Sequence, residues 1–289
     1  MNRVSFEDTI PKELLIDVPN VLDFLVRRMR SYVLDFAGCE SAILGLSGGV
    51  DSAVVALICA RAFGVKRTHL LLLPSETTPR KDMDDAYDLV DTLAFPHSNV
   101  KTISIDEHVK RVSDVICMPQ NDKLGIGNIK ARTRMILLHS FAHLKKGLVI
   151  GTGDKSEITI GYFTKFGDGG VDILPIGDLY KSQVRQIASN MNLPSGIYEK
   201  PPSPGLWSGQ TAEGEMGMSY FLMDQILFRR FDLWKDEESI AKELRIRLTQ
   251  VKKLIDQVKL TQHKRCPAEI FKVSFRSHGS DLRYPRQWL

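Results

Sequence analysis

The 289-residue sequence is short of several features that would place a protein in a large functional class. It has four cysteines, Cys39, Cys59, Cys117 and Cys266, and no pair at Cys-x-x-Cys spacing. That argues against a disulfide framework or a zinc site and for a reducing, cytoplasmic setting. Net charge is +4, too little to imply a nucleic-acid partner, although basic residues thicken near the end at Arg265, Lys272, Arg276, Arg283 and Arg286. No apolar run reaches the length that crosses a bilayer. The first residues carry Glu7 and Asp8 and no apolar stretch, so no signal peptide is expected. Internal repeats and low-complexity tracts are missing as well.

What is present centres on Gly45-Leu46-Ser47-Gly48-Gly49-Val50-Asp51-Ser52. Ahead of it Ala42-Ile43-Leu44 reads as a buried strand, and behind it the apolar run Ala53–Phe63 reads as a packed helix stopped at Gly64. A strand turning through glycines into a helix aims backbone N–H groups and the positive end of the helix dipole at one point, which makes an anion site. Ser47 and Ser52 add hydroxyls. No lysine follows the glycines, so this is not the GxxxxGK[ST] phosphate loop. Asp51 adds a carboxylate inside a phosphate cradle, which is tolerable when a cation such as Mg²⁺ lies between them.

The rest of the chain alternates strand and helix patterns. Val21–Phe36 is an amphipathic helix that needs a surface, its own core or a partner subunit. Strands are expected at His69–Pro74, Val100–Ile105 and Leu148–Ile150, with helices at Asp82–Leu93, at Val109–Ile116 capped by Asp106, from Asn128 to Lys145, and at Asp178–Met191. This pattern implies βαβ units and a doubly wound parallel sheet flanked by helices, a Rossmann-like α/β fold with a helical C-terminal extension. Loops at the carboxyl ends of such strands meet at one crevice. The first glycine turn and the second, Gly151-Thr152-Gly153-Asp154-Lys155-Ser156-Glu157, should therefore face one ligand. Phe163–Asp172 is rich in Gly and Asp and reads as irregular, and Lys200–Gln210 as a long Pro/Gly loop.

The loop Ser47-Gly48-Gly49-Val50-Asp51-Ser52 resembles that of the N-type ATP pyrophosphatases. The ordered set of this loop, Lys130-Ala131-Arg132, Gly151-Thr152 with Glu157, Gly161-Tyr162-Phe163-Thr164-Lys165-Phe166-Gly167-Asp168, Asp172, Asp178-Leu179-Tyr180-Lys181 and His263-Lys264-Arg265 resembles the ammonia-dependent NAD synthetases over nearly the whole chain. The resemblance implies conversion of deamido-NAD⁺, ATP and ammonia to NAD⁺, AMP and pyrophosphate through an adenylated nicotinate carboxylate. It implies that Gly45, Leu46, Ser47, Gly48, Gly49, Val50, Asp51 and Ser52 hold ATP together with Thr152, Lys181 and Ser203. It implies Asp51 and Glu157 as Mg²⁺ ligands, Lys181 beside them in catalysis, and Arg132, Lys165, Asp172, His263 and Lys264 as contacts to deamido-NAD⁺. Asp154 and Asp168 are candidates for supporting these groups. Val50 stands where many members have Gln, and Gly209–Gly217 is less acidic than in many relatives.

The whole of 1–289 is expected to be a single synthetase unit. Within it lie a dimerisation helix region at 1–38, an ATP pyrophosphatase core at 39–195, a lid at 196–218 and a helical part at 219–289. The resemblance also implies a homodimer with the dinucleotide site near the interface, built from Val21–Phe36 and the helices around Asn128–Lys145. No residues remain to build an amidase domain, so free ammonia, or ammonia from a separate subunit, is the expected nitrogen source. Two alternatives are an ATP pyrophosphatase modifying tRNA, which would need a basic groove, and a non-catalytic nucleotide-binding protein, which would not need a metal-bridged triphosphate.

Overall fold

A computed structural model describes residues 10–200, 205–207, 209–278 and 281. Among the described residues a 3-10 turn at Lys12–Leu14 precedes α1 (Val18–Arg30), which is capped by Asp17, whose side chain accepts the Asn20 N–H, and prolonged by a π-helical stretch at Ser31–Phe36. Next come β1 (Ser41–Gly45), α2 (Val50–Phe63), β2 (Thr68–Leu72), α3 (Arg80–Thr92), β3 (Val100–Thr102) and α4 (Asp106–Val115). They are followed by α5 (Lys123–Leu144), β4 (Gly147–Ile150), α6 (Lys155–Ile160), α7 (Lys181–Asn190) and the short α8 (Ser195–Tyr198). The last part is helical: α9 (Ala212–Met216), α10 (Tyr220–Leu227), α11 (Glu237–Leu244), α12 (Leu248–Leu260) and α13 (Gln262–Arg265).

The four strands are parallel in the order β3-β2-β1-β4. Their apolar runs follow from burial on both faces. Ala42, Leu44, Leu70 and Leu72 point into a cluster with α1, α2 and α7, while Ile43, Leu71 and Val149 point the other way, against α4 and α5. Helix α2 is buried on nearly all sides, which is why its sequence is apolar between its first turn and Arg61 and shows no polar stripe. Helix α1 lays Leu22, Met29 and, in its continuation, Val33 on this same core, while Phe24 and Phe36 stay exposed.

Several boundaries differ from the sequence expectation, β3 among them, which ends at Thr102 rather than Ile105. Helix α5 begins at Lys123, because Asp122 accepts the Gly125 N–H at 2.8 Å; the polar Asn121–Leu124 run is a cap and first turn rather than a loop. Helix α7 begins at Lys181 rather than Asp178. Asp106 does not cap α4: Ile105 holds that position, and the Asp106 carboxylate accepts the Glu76 N–H at 2.9 Å and the Ser104 hydroxyl at 2.8 Å.

A further cluster joins α9–α12 to α6, with Tyr220, Met223, Ile226, Leu227, Ile240, Val251 and Ile255 at its centre and Ile10 and Leu14 packed in from the other end of the chain. One buried polar residue ties this cluster to the sheet layer. Asp224, fully buried on α10, accepts the Ser156 hydroxyl at 2.6 Å and the Ser182 N–H at 2.8 Å, at the starts of α6 and α7. Burial raises its carboxyl to about 6, against the pull of those two donors. Asp224→Ala leaves both donors unpaired and is expected to cost about 3 kcal/mol in chemical denaturation. Because the folded carboxyl titrates above the unfolded one, its contribution is complete at low pH and fades as pH rises through about 6. Asp224→Asn should therefore flatten the stability profile across that interval; an unchanged slope would contradict the assignment.

Candidate active site

The strand order reverses between β1 and β4, so the turns leaving these two strands open side by side. After β1 the chain runs through Gly48 at φ +76° into α2. Gly48 is required here on two counts: a Cβ would strain the positive φ and would lie 2.1 Å from the Asp82 carbonyl oxygen at the start of α3. The loop's hydroxyls hold its shape. Ser52 donates to the Gly49 carbonyl at 3.0 Å and lies 3.1 Å from the Ser47 hydroxyl; Ser47 in turn accepts the Gly49 N–H at 3.2 Å. Val50 packs into the core and also borders the cavity.

After β4, Asp154 caps α6 by accepting the Glu157 N–H at 2.8 Å. This cap aims the Glu157 side chain back toward α2. Asp51, in the first turn of α2, and Glu157, in the first turn of α6, meet at the ammonium of Lys181, the first residue of α7. Lys181 Nζ donates to Asp51 Oδ2 at 2.7 Å and to Glu157 Oε1 at 2.8 Å, and pairs with Asp154 Oδ2 at 2.9 Å. Tyr220 completes the cluster, its hydroxyl 3.2 Å from Glu157 Oε1 and its ring centroid 5.0 Å from Nζ.

Lys181 and Asp154 are fully buried. Burial opposes the lysine's charge, but Asp154, Asp51 and Glu157 outweigh it and hold the ammonium protonated well beyond the usual lysine range. Burial and the mutual repulsion of three acids sharing one cation push Asp154 up to about 7 and Glu157 up to about 8, against the pull of Lys181. Three acids face one ammonium, and Asp51 Oδ1 is buried without a hydrogen-bond partner. The carboxylate oxygens of Asp51 and Glu157 are the donor type that fits a hard divalent cation, with the Lys181 ammonium now between them.

The cluster forms one end of a cavity of about 470 Å³. Ser47, Gly49, Asp51, Thr152 and Glu157 line that end; Asn128 and Arg134 of α5, Phe163, Thr164, Asp168, Trp207, Gln210 and Glu215 line the rest. Lys264 reaches the cavity wall and donates to the Gly161 and Phe163 carbonyls at 2.9 Å each, so it also clamps the Gly161–Asp168 segment. Lys165, Arg132 and His263 come together outside the cavity lining: Lys165 Nζ donates to the His263 carbonyl at 2.6 Å and Arg132 to the Lys165 carbonyl at 3.4 Å. Asp172 lies apart from these, its carboxylate accepting the Val149 N–H at 2.8 Å beside β4. Ser203 lies outside the described residues.

Asp154 is the central residue that sequence reasoning undervalued, although Asp-x-x-Glu ahead of a helix is a capping signal. Buried Lys130 and half-buried Arg134 on α5 show no helical pattern that marks them, since basic residues on helices usually face water. Lys130 Nζ donates to the Thr77 hydroxyl at 2.9 Å and the Leu206 carbonyl at 3.0 Å, and Arg134 Nε to the Leu73 carbonyl at 3.0 Å.

The sheet order, the glycine turn at its switch point and the acid–lysine cluster beside that turn define a doubly wound, Rossmann-like α/β protein. A family model described as NAD synthase matches residues 21–268. The NH(3)-dependent NAD(+) synthetase of Saccharolobus solfataricus is 49% identical over 96% of this chain and 98% of its own. Among solved structures, the NMN synthetase of Francisella tularensis aligns with a TM-score of 0.76 at 32% identity, covering 89% of this chain and 99% of that one. The NH3-dependent NAD synthetase of Campylobacter jejuni aligns with a TM-score of 0.74 at 27% identity, covering 89% and 100%. The chain belongs to the NAD synthase family, a family of ligases.

The ion cluster carries a stability signature. Lys181→Met removes the single cation from three acids and is expected to cost about 3–5 kcal/mol, read by denaturant titration. Adding Asp154→Asn should recover part of that loss, because one buried acid goes with it. If the double variant were less stable than Lys181→Met, the charge balance described here would be wrong.

Proposed function

We propose that this chain amidates the nicotinate carboxylate of deamido-NAD⁺ with ammonia, consuming ATP and releasing AMP and pyrophosphate. The observation that carries this reading is the convergence of Asp51, Glu157 and Lys181 at the mouth of the glycine turn, in a chain of the NAD synthase family. A carboxylate does not accept ammonia directly, because oxide is a poor leaving group. Attack of the substrate carboxylate on the α-phosphorus of ATP expels pyrophosphate and gives an acyl adenylate; ammonia then adds to its carbonyl carbon and AMP leaves.

Both steps gather negative charge on phosphoryl and carbonyl oxygens, and the chain's part is to position and neutralise. In this reading Gly45–Ser52 and Thr152 cradle the triphosphate, and Lys181 supplies positive charge to it. Asp51 and Glu157 hold Mg²⁺, which would neutralise phosphate oxygens as pyrophosphate departs. Ser203 is assigned to ATP. Phe163, Trp207 and the Lys264 clamp enclose the far part of the cavity, where a reactive acyl adenylate must be kept from water.

Arg132, Lys165, Asp172 and His263 are assigned to the dinucleotide although they lie outside the cavity lining of one chain. A site shared between two copies accounts for that placement. Leu124, Ile136 and Leu144 on α5 are exposed, as is Val115 at the end of α4, giving a second copy apolar side chains to cover. Light scattering at micromolar concentration is expected to return a dimer mass; a monomer would overturn the shared site. No helix among the described residues is long and apolar enough to cross a membrane, and a cytoplasmic setting is part of this proposal.

The decisive assay is pyrophosphate release with ATP, Mg²⁺ and deamido-NAD⁺, with and without ammonium, beside nicotinate mononucleotide and tRNA. Product is expected with deamido-NAD⁺ and ammonium, and turnover with tRNA would favour the RNA-modifying alternative. Preference for nicotinate mononucleotide would place the activity with that of the Francisella relative's printed name. Asp51→Asn and Glu157→Gln should each lower kcat/KM by roughly 100-fold or more; full activity in either would remove the metal assignment.

A further inference from the structure

The Lys181 ammonium occupies the place between Asp51 and Glu157 where the proposed function puts a divalent cation. Both cannot hold the same two carboxylates, so the lysine must give them up while staying close enough to meet the phosphates. The geometry shows which partner it keeps. Asp51 and Glu157 expose 20% and 21% of their side chains and line the cavity. Asp154 is wholly buried on the far side of the ammonium, 2.9 Å from it.

The contacts differ in kind as well. Nζ hydrogen-bonds to Asp51 and Glu157, whereas its contact to Asp154 is an ion pair. An ammonium has three donors, and rotation about the last bond of the side chain re-aims them without moving the backbone. Asp154 is itself immobile, because its other oxygen accepts the Glu157 N–H at the cap of α6. Lys181 is fixed at its main chain too, its N–H donating to the Ser156 hydroxyl at 2.9 Å.

We propose that Asp154 is a positioning residue: it retains the Lys181 ammonium when a divalent cation takes Asp51 and Glu157, so that metal and lysine occupy the site together rather than in competition. This rests on the metal reading above. Without the Asp154 carboxylate, the only acids left to Lys181 among the described contacts are the two metal ligands, and it competes for them.

The test is Mn²⁺ binding to the full chain, followed by electron paramagnetic resonance with α,β-methylene-ATP present. Asp154→Asn and Asp154→Ser both keep a helix cap and lose the lysine's partner; Asp154→Ala loses both. All three are expected to weaken Mn²⁺ binding by roughly tenfold or more, and to similar extents. In a Lys181→Met background, Asp154→Asn should have little further effect, because the competitor is gone. Weakening confined to Asp154→Ala would show a capping role and overturn the proposal. So would wild-type affinity in Asp154→Asn, which can be read even if the lysine variant fails to fold. Failure of the wild-type chain to bind Mn²⁺ with the nucleotide would instead remove the metal reading, and this inference with it.

Discussion

A lysine ammonium out of contact with water persists only where acids surround it, and the surroundings of Lys181 set the layout of this molecule's centre. The lysine stands at the start of a helix, the end where the backbone dipole is least favourable to a cation. Asp51 and Glu157 stand in the first turns of their own helices, where a carboxylate is favoured. Three helix starts thus converge with their charges arranged so that two dipoles support the acids and the acids together override the third. Convergence requires the strand order β3-β2-β1-β4, which puts the exits of β1 and β4 next to each other.

Such a cluster is a poor way to gain stability, since removing charges from water costs about as much as their attraction returns. The folding energy comes from elsewhere, from the apolar layers on both faces of the sheet and the separate cluster among the carboxy-terminal helices. In the proposed function the ions belong to the chemistry. Their unequal exposure, closed at Asp154 and open at Asp51 and Glu157, gives the cluster a direction: it is a charge store with one accessible side.

The parts of this structure that could be read from sequence are those whose local pattern and tertiary environment agree. Strand β1, helix α2 and the glycine turn between them follow from apolar runs buried on every side and from a backbone that has to turn sharply. The pairing of the two strand-exit turns followed from topology alone. What stayed hidden depends on contacts between residues distant in sequence. Asp224 meets Ser156 and Ser182, Lys264 clamps carbonyls of the Gly161–Asp168 segment, and Lys130 reaches Leu206; periodicity carries no trace of any of these. Helix starts were misjudged where a side chain decided them, as at Asp122, whose cap turns a polar stretch into the first turn of α5.

The Asp224 link changes what the carboxy-terminal helices are. Their own apolar cluster invites treating them as an accessory that an engineer could delete or exchange. Yet one carboxylate from that cluster sutures the starts of both helices that bring Glu157 and Lys181 to the site. A shortened or chimeric version of this enzyme would keep its sheet and its glycine turn while losing the stitch that keeps its charges in register.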